Sequence, residues 1–444
     1  MATYDLIIKG GEVVNHAGRG RADVAVTNGK IAAIGDLSQA DAGEMIDATG
    51  LHVLPGVIDT QVHFREPGLE YKEDLASGGE AAVLGGVTAV FEMPNTNPST
   101  TTPEAINDKL ARAKGRMRCD HAFYAGATHE NLETLGALER LPGCCGIKVF
   151  MGASTGSLLV ADDEGIAGVL ANISRRAAFH CEDEPRMRER KDLAREGDWT
   201  SHPEVRDVET AVRATTRLLT LAKAAGKRVH VLHVTTAEEV PLLAAAKDFA
   251  SMEVTPQHLT LAAPEAYETL KGKAQMNPPI REARHREALW EAVRQGVVDV
   301  IGSDHAPHAA EEKDKPYPAS PSGMPGVQTL VPVVLDHVNA GRLTLERFVD
   351  LTAHGAQRIF NIAGKGRMAV GWDGDFTLVD LKAQRTIEDS WIASKCGWTP
   401  FAGKTVTGWP VRTIIRGRTA MADDQLVGTP EGEPVRFMET LGAG

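Results

Sequence analysis

Between residues 54 and 366 the chain repeats one pattern eight times: a short apolar run, then a stretch with helical spacing. The runs are "LPGVIDTQVHF", "GVTAVFEMPN", "DHAFYAG", "CGIKVFMG", "AAFHCED", "VHVLHVT", "SMEVTP" and "VVDVIGSDH". Each is of strand length and ends in turn-forming or polar residues, so each reads as a buried strand. The segments between them, such as "KEDLASGGEAAVLGG", "PEAINDKLARAKG", "VETAVRATTRLLTLAKAAG" and "AEEVPLLAAAKDF", space their apolar residues as amphipathic helices do. Eight strand–helix units in succession predict an α/β fold, a (β/α)8 TIM-like barrel over 54–366.

The two ends of the chain read differently. Residues 1–53 hold short alternating runs ("DLIIKGGEVV", "ADVAVTNGKIAAIG", "EMIDATGLHVL"), with Asn28-Gly29 marking a hairpin. The tail has the same character in "GDFTLVDL", "KTVTGWPVRTIIRG" and "TAMADD". A composite small β domain, a sandwich built from 1–53 and 367–444, is the expectation. The Pro-rich "KPYPASPSGMPG" reads as a loop rather than a linker.

Charge narrows the functional classes. With 48 basic against 60 acidic side chains the net charge is −12, which argues against a nucleic-acid or membrane-surface role. No run of apolar residues is long enough to span a membrane, and the N-terminal stretch lacks the basic-then-apolar order of a signal peptide. The five cysteines (119, 144, 145, 181 and 396) are odd in number and form no CxxC pair, which suits reduced thiols in a cytoplasmic enzyme.

Polar and ionisable residues recur where the strands end, at the face where barrel active sites lie. The first run ends in Gln61, His63 and Arg65, and the second in Asn95. The fourth carries Lys148, the fifth His180 and the sixth His233. The eighth ends in Asp304, followed by His305 and His308. Singly, each has an ordinary reading: a strand histidine hydrogen-bonded in the core, a lysine reaching the surface, Asp304 capping a helix, Arg65 paired with Glu66 or Glu73. Together they form a ring of groups that burial would penalise unless they share a partner, and one ion supplies it. Imidazoles with a carboxylate suit zinc or a similar divalent metal. Lys148 does not fit as an ammonium. A buried lysine has a lowered pKa, and its neutral amine can add CO2 to give a carbamate, an anion able to bridge two metals. Gln61 is the other oddity, because a strand-end metal pair is ordinarily His-x-His and the first member here is an amide.

In order along the chain, "PGVIDTQVHFREPG", "GGVTAVFEMPNTNP", "GIKVFMGASTG", "FHCED", "VLHVTT" and "IGSDHAPH" resemble the dihydroorotases of the cyclic amidohydrolase group. The resemblance covers nearly the whole chain. It implies that Gln61, His63 and Asp304 hold one zinc, that His180 and His233 hold a second, and that Lys148 bridges them as its carbamate. It implies reversible cyclisation of N-carbamoyl-L-aspartate to L-dihydroorotate, a step of pyrimidine biosynthesis, with Asp304 carrying the proton. Arg65, Asn95 and His308 correspond to residues that hold the substrate carboxylate, and Asn277 in "QMNPPIR" to a further substrate contact. The Gly/Ser/Thr-rich "MGASTGSL" reads either as a lid, with Ser154 or Thr155 closing over the substrate, or as an ordinary turn. With Gln61 in a ligand position, the affinity of that metal is expected to be low, or Gln61 to act from behind the ligands.

Two alternatives stand beside this reading. An allantoinase or hydantoinase shares the same ligands, but hydantoinases generally lack the arginine. A non-catalytic dihydroorotase-like subunit of aspartate transcarbamoylase is suggested by Gln61 alone, against the other ligands retained. The resemblance also brings a homodimer into consideration.

Overall fold

The computed structural model describes residues 3–154 and 158–441. Eight parallel strands form one sheet in chain order: β1 (Val57–Val62), β2 (Val87–Glu92), β3 (Asp120–Gly126), β4 (Cys144–Phe150), β5 (Ala177–His180), β6 (Val229–Val231), β7 (Ala250–Val254) and β8 (Val300–Ile301). Past the end of β8, His305 pairs in parallel with Val62 of β1, and the His63 N–H donates to the His305 carbonyl at 2.7 Å. The sheet thus curls until its first and last strands meet, as a barrel does.

Every residue of the eight strands is buried. That is why their sequences run apolar without alternating: one face lines the interior and the other meets helices. Ile58, Ala89, Phe91, Tyr124, Ala178, Leu232 and Val300 fill the interior together with Phe360 and Phe437. The helices obey their sequence signals. In Val208–Ala225 the buried Ala211, Ala214, Leu218 and Ala222 recur at helical spacing. Asp207 caps its start through the Thr210 N–H, and Gly226, at φ +64°, ends it in the left-handed conformation that glycine adopts most readily.

Strands from both ends of the chain share a seven-stranded sheet. Its order is Gln425–Leu426, Arg418–Ala422, Thr405–Ile415, Phe376–Thr386, His52–Pro55, Glu12–Asn15 and Gly18–Arg21. A separate four-stranded sheet is N-terminal, and there the expected hairpin joins Asp23–Thr27 to Lys30–Gly35, with Asn28 and Gly29 both at positive φ. At the N-terminal end of the barrel a charge cluster ties these parts together. Lys365 lies 2.5 Å from Asp120 at the foot of β3, 3.1 Å from Asp373 and 2.6 Å from Asp375, which leads into the strand Phe376–Thr386.

All five cysteines are unpaired and buried. Among the described residues no helix is long and apolar enough to cross a membrane.

Candidate active site

At the C-terminal ends of the strands, Gln61, His63, Lys148, His180, His233, Asn277 and Asp304 line a single cleft, together with Phe150, Ser154 and Ser322. Three of the turns that present site residues are strained. Arg65, His233 and Asp304 have φ of +63°, +36° and +45°, a region side-chain-bearing residues rarely occupy and one that clusters at functional sites. Asp304 starts no helix, so the cap reading fails, and the left-handed turn there carries its carboxylate back over β1.

Two pairs line the cleft together with Lys148. In one, Asp304 Oδ1 is 3.1 Å from His63 Nε2 and accepts the Gln61 amide N–H at 2.9 Å. The other nitrogen of His63 lies 2.8 Å from Asn95 Oδ1, which fixes the ring. In the other, His180 Nδ1 stands 3.1 Å from His233 Nε2. The second nitrogen of His180 meets Glu182 Oε2 at 2.8 Å. Burial alone would raise the Glu182 pKa, but Arg206 and His180 outweigh it and hold this carboxyl at about 2. Burial lowers the pKa of His63, His180 and His233, keeping the rings neutral and their lone pairs available.

Lys148 does not reach the surface. It is 1% exposed, its Nζ has no hydrogen-bond partner, and Nζ lies 4.4 Å from the centroid of the Phe150 ring. Burial pushes its pKa down to about 7. Gln61 Oε1 is a second buried atom without a partner in the same cleft.

Among the described residues no three His, Cys, Asp or Glu side chains converge on one point. Each pair is one ligand short of a zinc site, and the shared neighbour of both pairs is the orphaned amine of Lys148. Two ligand atoms on a tetrahedral zinc stand about 3.3 Å apart, close to the spacing inside each pair. The neutral imidazoles and the Asp304 carboxylate are therefore a donor set that fits a divalent metal. Glu182 and Asn95 are the kind of outer partners that orient ligating histidines.

The carboxylate-binding candidates sit just behind the cleft wall. Arg65 is 2% exposed, and its Nε donates to the Pro307 carbonyl at 3.1 Å while Nη2 lies 3.3 Å from His308 Nε2. Burial pushes its pKa down to about 10. Neither expected structural partner holds it. Glu66 pairs with Arg116 at 2.7 Å, and Glu73 faces His305 at 3.3 Å. His308 also lies 3.0 Å from the Ser322 carbonyl and 3.0 Å from Lys72 Nζ, so it bridges Arg65 to the cleft lining. Asn277 is reached by His202 Nε2 at 3.1 Å and donates to Ser154 Oγ at 3.5 Å. Thr155, the other lid candidate, lies outside the described residues.

Sequence reasoning passed over Glu182 and Glu253. Glu253 on β7 accepts the Thr60 hydroxyl at 2.8 Å, and burial pushes its pKa up to about 8. A Cβ at Gly302, just past β8, would come within 2.7 Å of this carboxyl, so a side chain there would push the carboxylate aside. A carboxylate inside a fully apolar strand, as in "SMEVTP", was the available signal.

The fold and the cleft define a barrel hydrolase of the kind that works from the C-terminal ends of its strands. The chain belongs to the amidohydrolase family, whose pattern matches residues 52–420. It is 35% identical to a dihydroorotase of Methanosarcina acetivorans, over 99% of this chain and 96% of that one. It is also 35% identical to an allantoinase of Rubrobacter xylanophilus, over 98% of each. Among solved structures, an L-hydantoinase (dihydropyrimidinase) from Arthrobacter aurescens superposes with a TM-score of 0.93 at 31% identity, covering 97% of this chain and 99% of that one.

Proposed function

We propose that this chain is a dihydroorotase, interconverting L-dihydroorotate and N-carbamoyl-L-aspartate with zinc held by His63 and Asp304 on one side and His180 and His233 on the other. Lys148, as its carbamate, completes both sets. The observation that carries the choice of substrate is Arg65: a buried guanidinium beside the cleft with no carboxylate within ion-pair distance among the described residues. Dihydroorotate brings a carboxylate, whereas allantoin and hydantoin do not. A planar fork of donors matches that group.

Metal bound here would polarise the ring carbonyl and make water nucleophilic at neutral pH. The protein's part is proton handling and orientation. In the hydrolytic direction the ring amide C–N bond breaks, the carbonyl carbon gains the hydroxyl of water and the nitrogen gains its proton. Asp304, poised between Gln61 and His63, accepts that proton and hands it to the leaving nitrogen. Arg65, with Asn95 and His308 behind the wall and Asn277 in it, orients the substrate carboxylate.

A second reading, a cyclic-amide hydrolase for a ring without a carboxylate, is favoured by the bonds Arg65 already makes to Pro307 and His308. Steady-state rates of the purified, zinc-supplemented chain on dihydroorotate, allantoin and hydantoin separate the two. The highest kcat/KM is expected on dihydroorotate, and faster turnover of either other ring overturns the assignment. No turnover of any ring would favour the scaffold subunit suggested by Gln61, and binding to aspartate transcarbamoylase is then the measurement to make.

A further inference from the structure

At the N-terminal end of the barrel, away from Lys148, a second cleft is lined by four arginines, 175, 176, 228 and 358, with Asn361 and Glu439. Arg175 and Arg176 immediately precede β5, and Arg228 immediately precedes β6. This concentration of positive charge sits on a chain whose net charge is −12.

Little in the protein neutralises it. Arg228 is exposed and its side chain forms no ion pair or hydrogen bond among the described residues. Arg358 is exposed and meets Asp299 at 3.3 Å. Arg175 is buried; its guanidinium's one ion pair among the described residues is with the exposed Glu439 at 3.9 Å, and the buried Glu139 carboxylate accepts its backbone N–H at 3.1 Å. Its Nη1 donates to the carbonyls of Glu139 at 2.6 Å and Cys144 at 2.8 Å, and its guanidinium lies 4.5 Å over the Phe437 ring. Its Nη2 is buried with no partner. Arg176 Nη1 donates to the Val229 carbonyl at 2.8 Å and to Ser251 Oγ at 3.1 Å, while its Nε is likewise buried without a partner. Two orphaned guanidinium donors beside two exposed arginines leave like charges without the anion that would offset their desolvation.

We propose that this cleft binds a phosphoryl dianion, carried by free orthophosphate or by a nucleotide phosphate monoester. A dianion offers the charge and the several acceptor oxygens that a set of guanidiniums can share, and a carboxylate offers less of both. His180 lies four positions after Arg176, about 13 Å along a strand. The site is therefore remote from the mouth of the barrel, and its occupancy can be read without reference to turnover.

Calorimetric titration of the full metal-loaded chain at constant ionic strength, with inorganic phosphate, with AMP and with chloride as control, tests the proposal. Wild type is expected to bind phosphate or AMP at one site that chloride does not fill. R228Q and R358Q, both at exposed positions, should each weaken binding about tenfold, and E439Q should tighten it severalfold by removing the competing carboxylate. Tighter binding of AMP than of phosphate assigns the nucleotide source; equal or weaker binding assigns the free ion. Heats no greater than those of chloride overturn the proposal. So does wild-type affinity in the R228Q/R358Q double variant, and so does binding that vanishes in R65Q but survives R228Q.

Discussion

The buried amine of Lys148 makes its own modification chemistry measurable. At pH 7 a lysine of ordinary pKa is neutral in roughly one molecule in 3,000. Burial brings Lys148 to about 7, so roughly half of it is neutral there, about a thousandfold more amine for CO2 to attack. Protons compete below that pKa and cease to matter above it. Metal-free protein held at constant dissolved CO2 and then given zinc should therefore regain activity at a rate that rises about tenfold per pH unit up to about pH 7 and levels off beyond it. The assay is the time course of dihydroorotate turnover after zinc addition, with 13C-bicarbonate NMR reporting the carbamate on the same samples. K148A should lose most activity and metal, with partial recovery in short carboxylic acids that stand in for the carbamate. A reactivation rate still climbing tenfold per unit through pH 9 would mean an ordinary lysine and would refute the reasoning, as would full metal content in K148A.

Three further perturbations probe other parts of the molecule. Q61H should tighten the metal beside Asp304, so that in a chelator titration the two metals of wild type leave at separate midpoints and those of Q61H move together; a single shared midpoint in both proteins denies Gln61 any role. R65K keeps the charge and loses the fork, so kcat/KM for dihydroorotate should fall roughly 10- to 100-fold through KM while metal content stays constant; unchanged kinetics would make Arg65 structural. K365M leaves the buried Asp375 without an ion pair, while Asp120 keeps Arg416 and Asp373 keeps Lys30, at a cost of about 3–5 kcal/mol, which for a chain of this length lowers Tm by about 4 °C in a calorimetric scan. An unshifted Tm would show that the cluster is replaceable.

What the sequence made legible followed from periodicity. Strand-length apolar runs separated by helical spacing lead to a barrel because both periods are local, and all eight runs, from Val57–Val62 to Val300–Ile301, became its strands. The ring of His63, Lys148, His180, His233 and Asp304 was legible because ionisable groups stand out at the ends of apolar strands, and they line one cleft. Partners set by distance in space were not legible. Glu66 goes to Arg116 fifty residues away, so its adjacency to Arg65 in sequence was a false lead. Glu253 meets Thr60 across the barrel, a contact that only closure creates. The position of Arg65, Asn95 and His308 behind the cleft wall rather than in it also depends on how loops fold over the mouth.

The seven-stranded sheet in which His52–Pro55 pairs with Phe376–Thr386 imposes an order on assembly. His52–Pro55 leads directly into β1, which bears Gln61 and His63, yet its hydrogen-bonding edge waits for a partner more than 300 residues downstream. On a ribosome that edge is exposed throughout synthesis of the barrel, and strand pairing of such long separation is slow and open to wrong partners. A chain stopped before residue 376 would complete all eight barrel strands and still leave the edge bare, a template for joining other chains. Rejoining the two ends of the sheet by a short tether, with the chain opened at an exposed loop elsewhere, would make that pairing local and speed refolding.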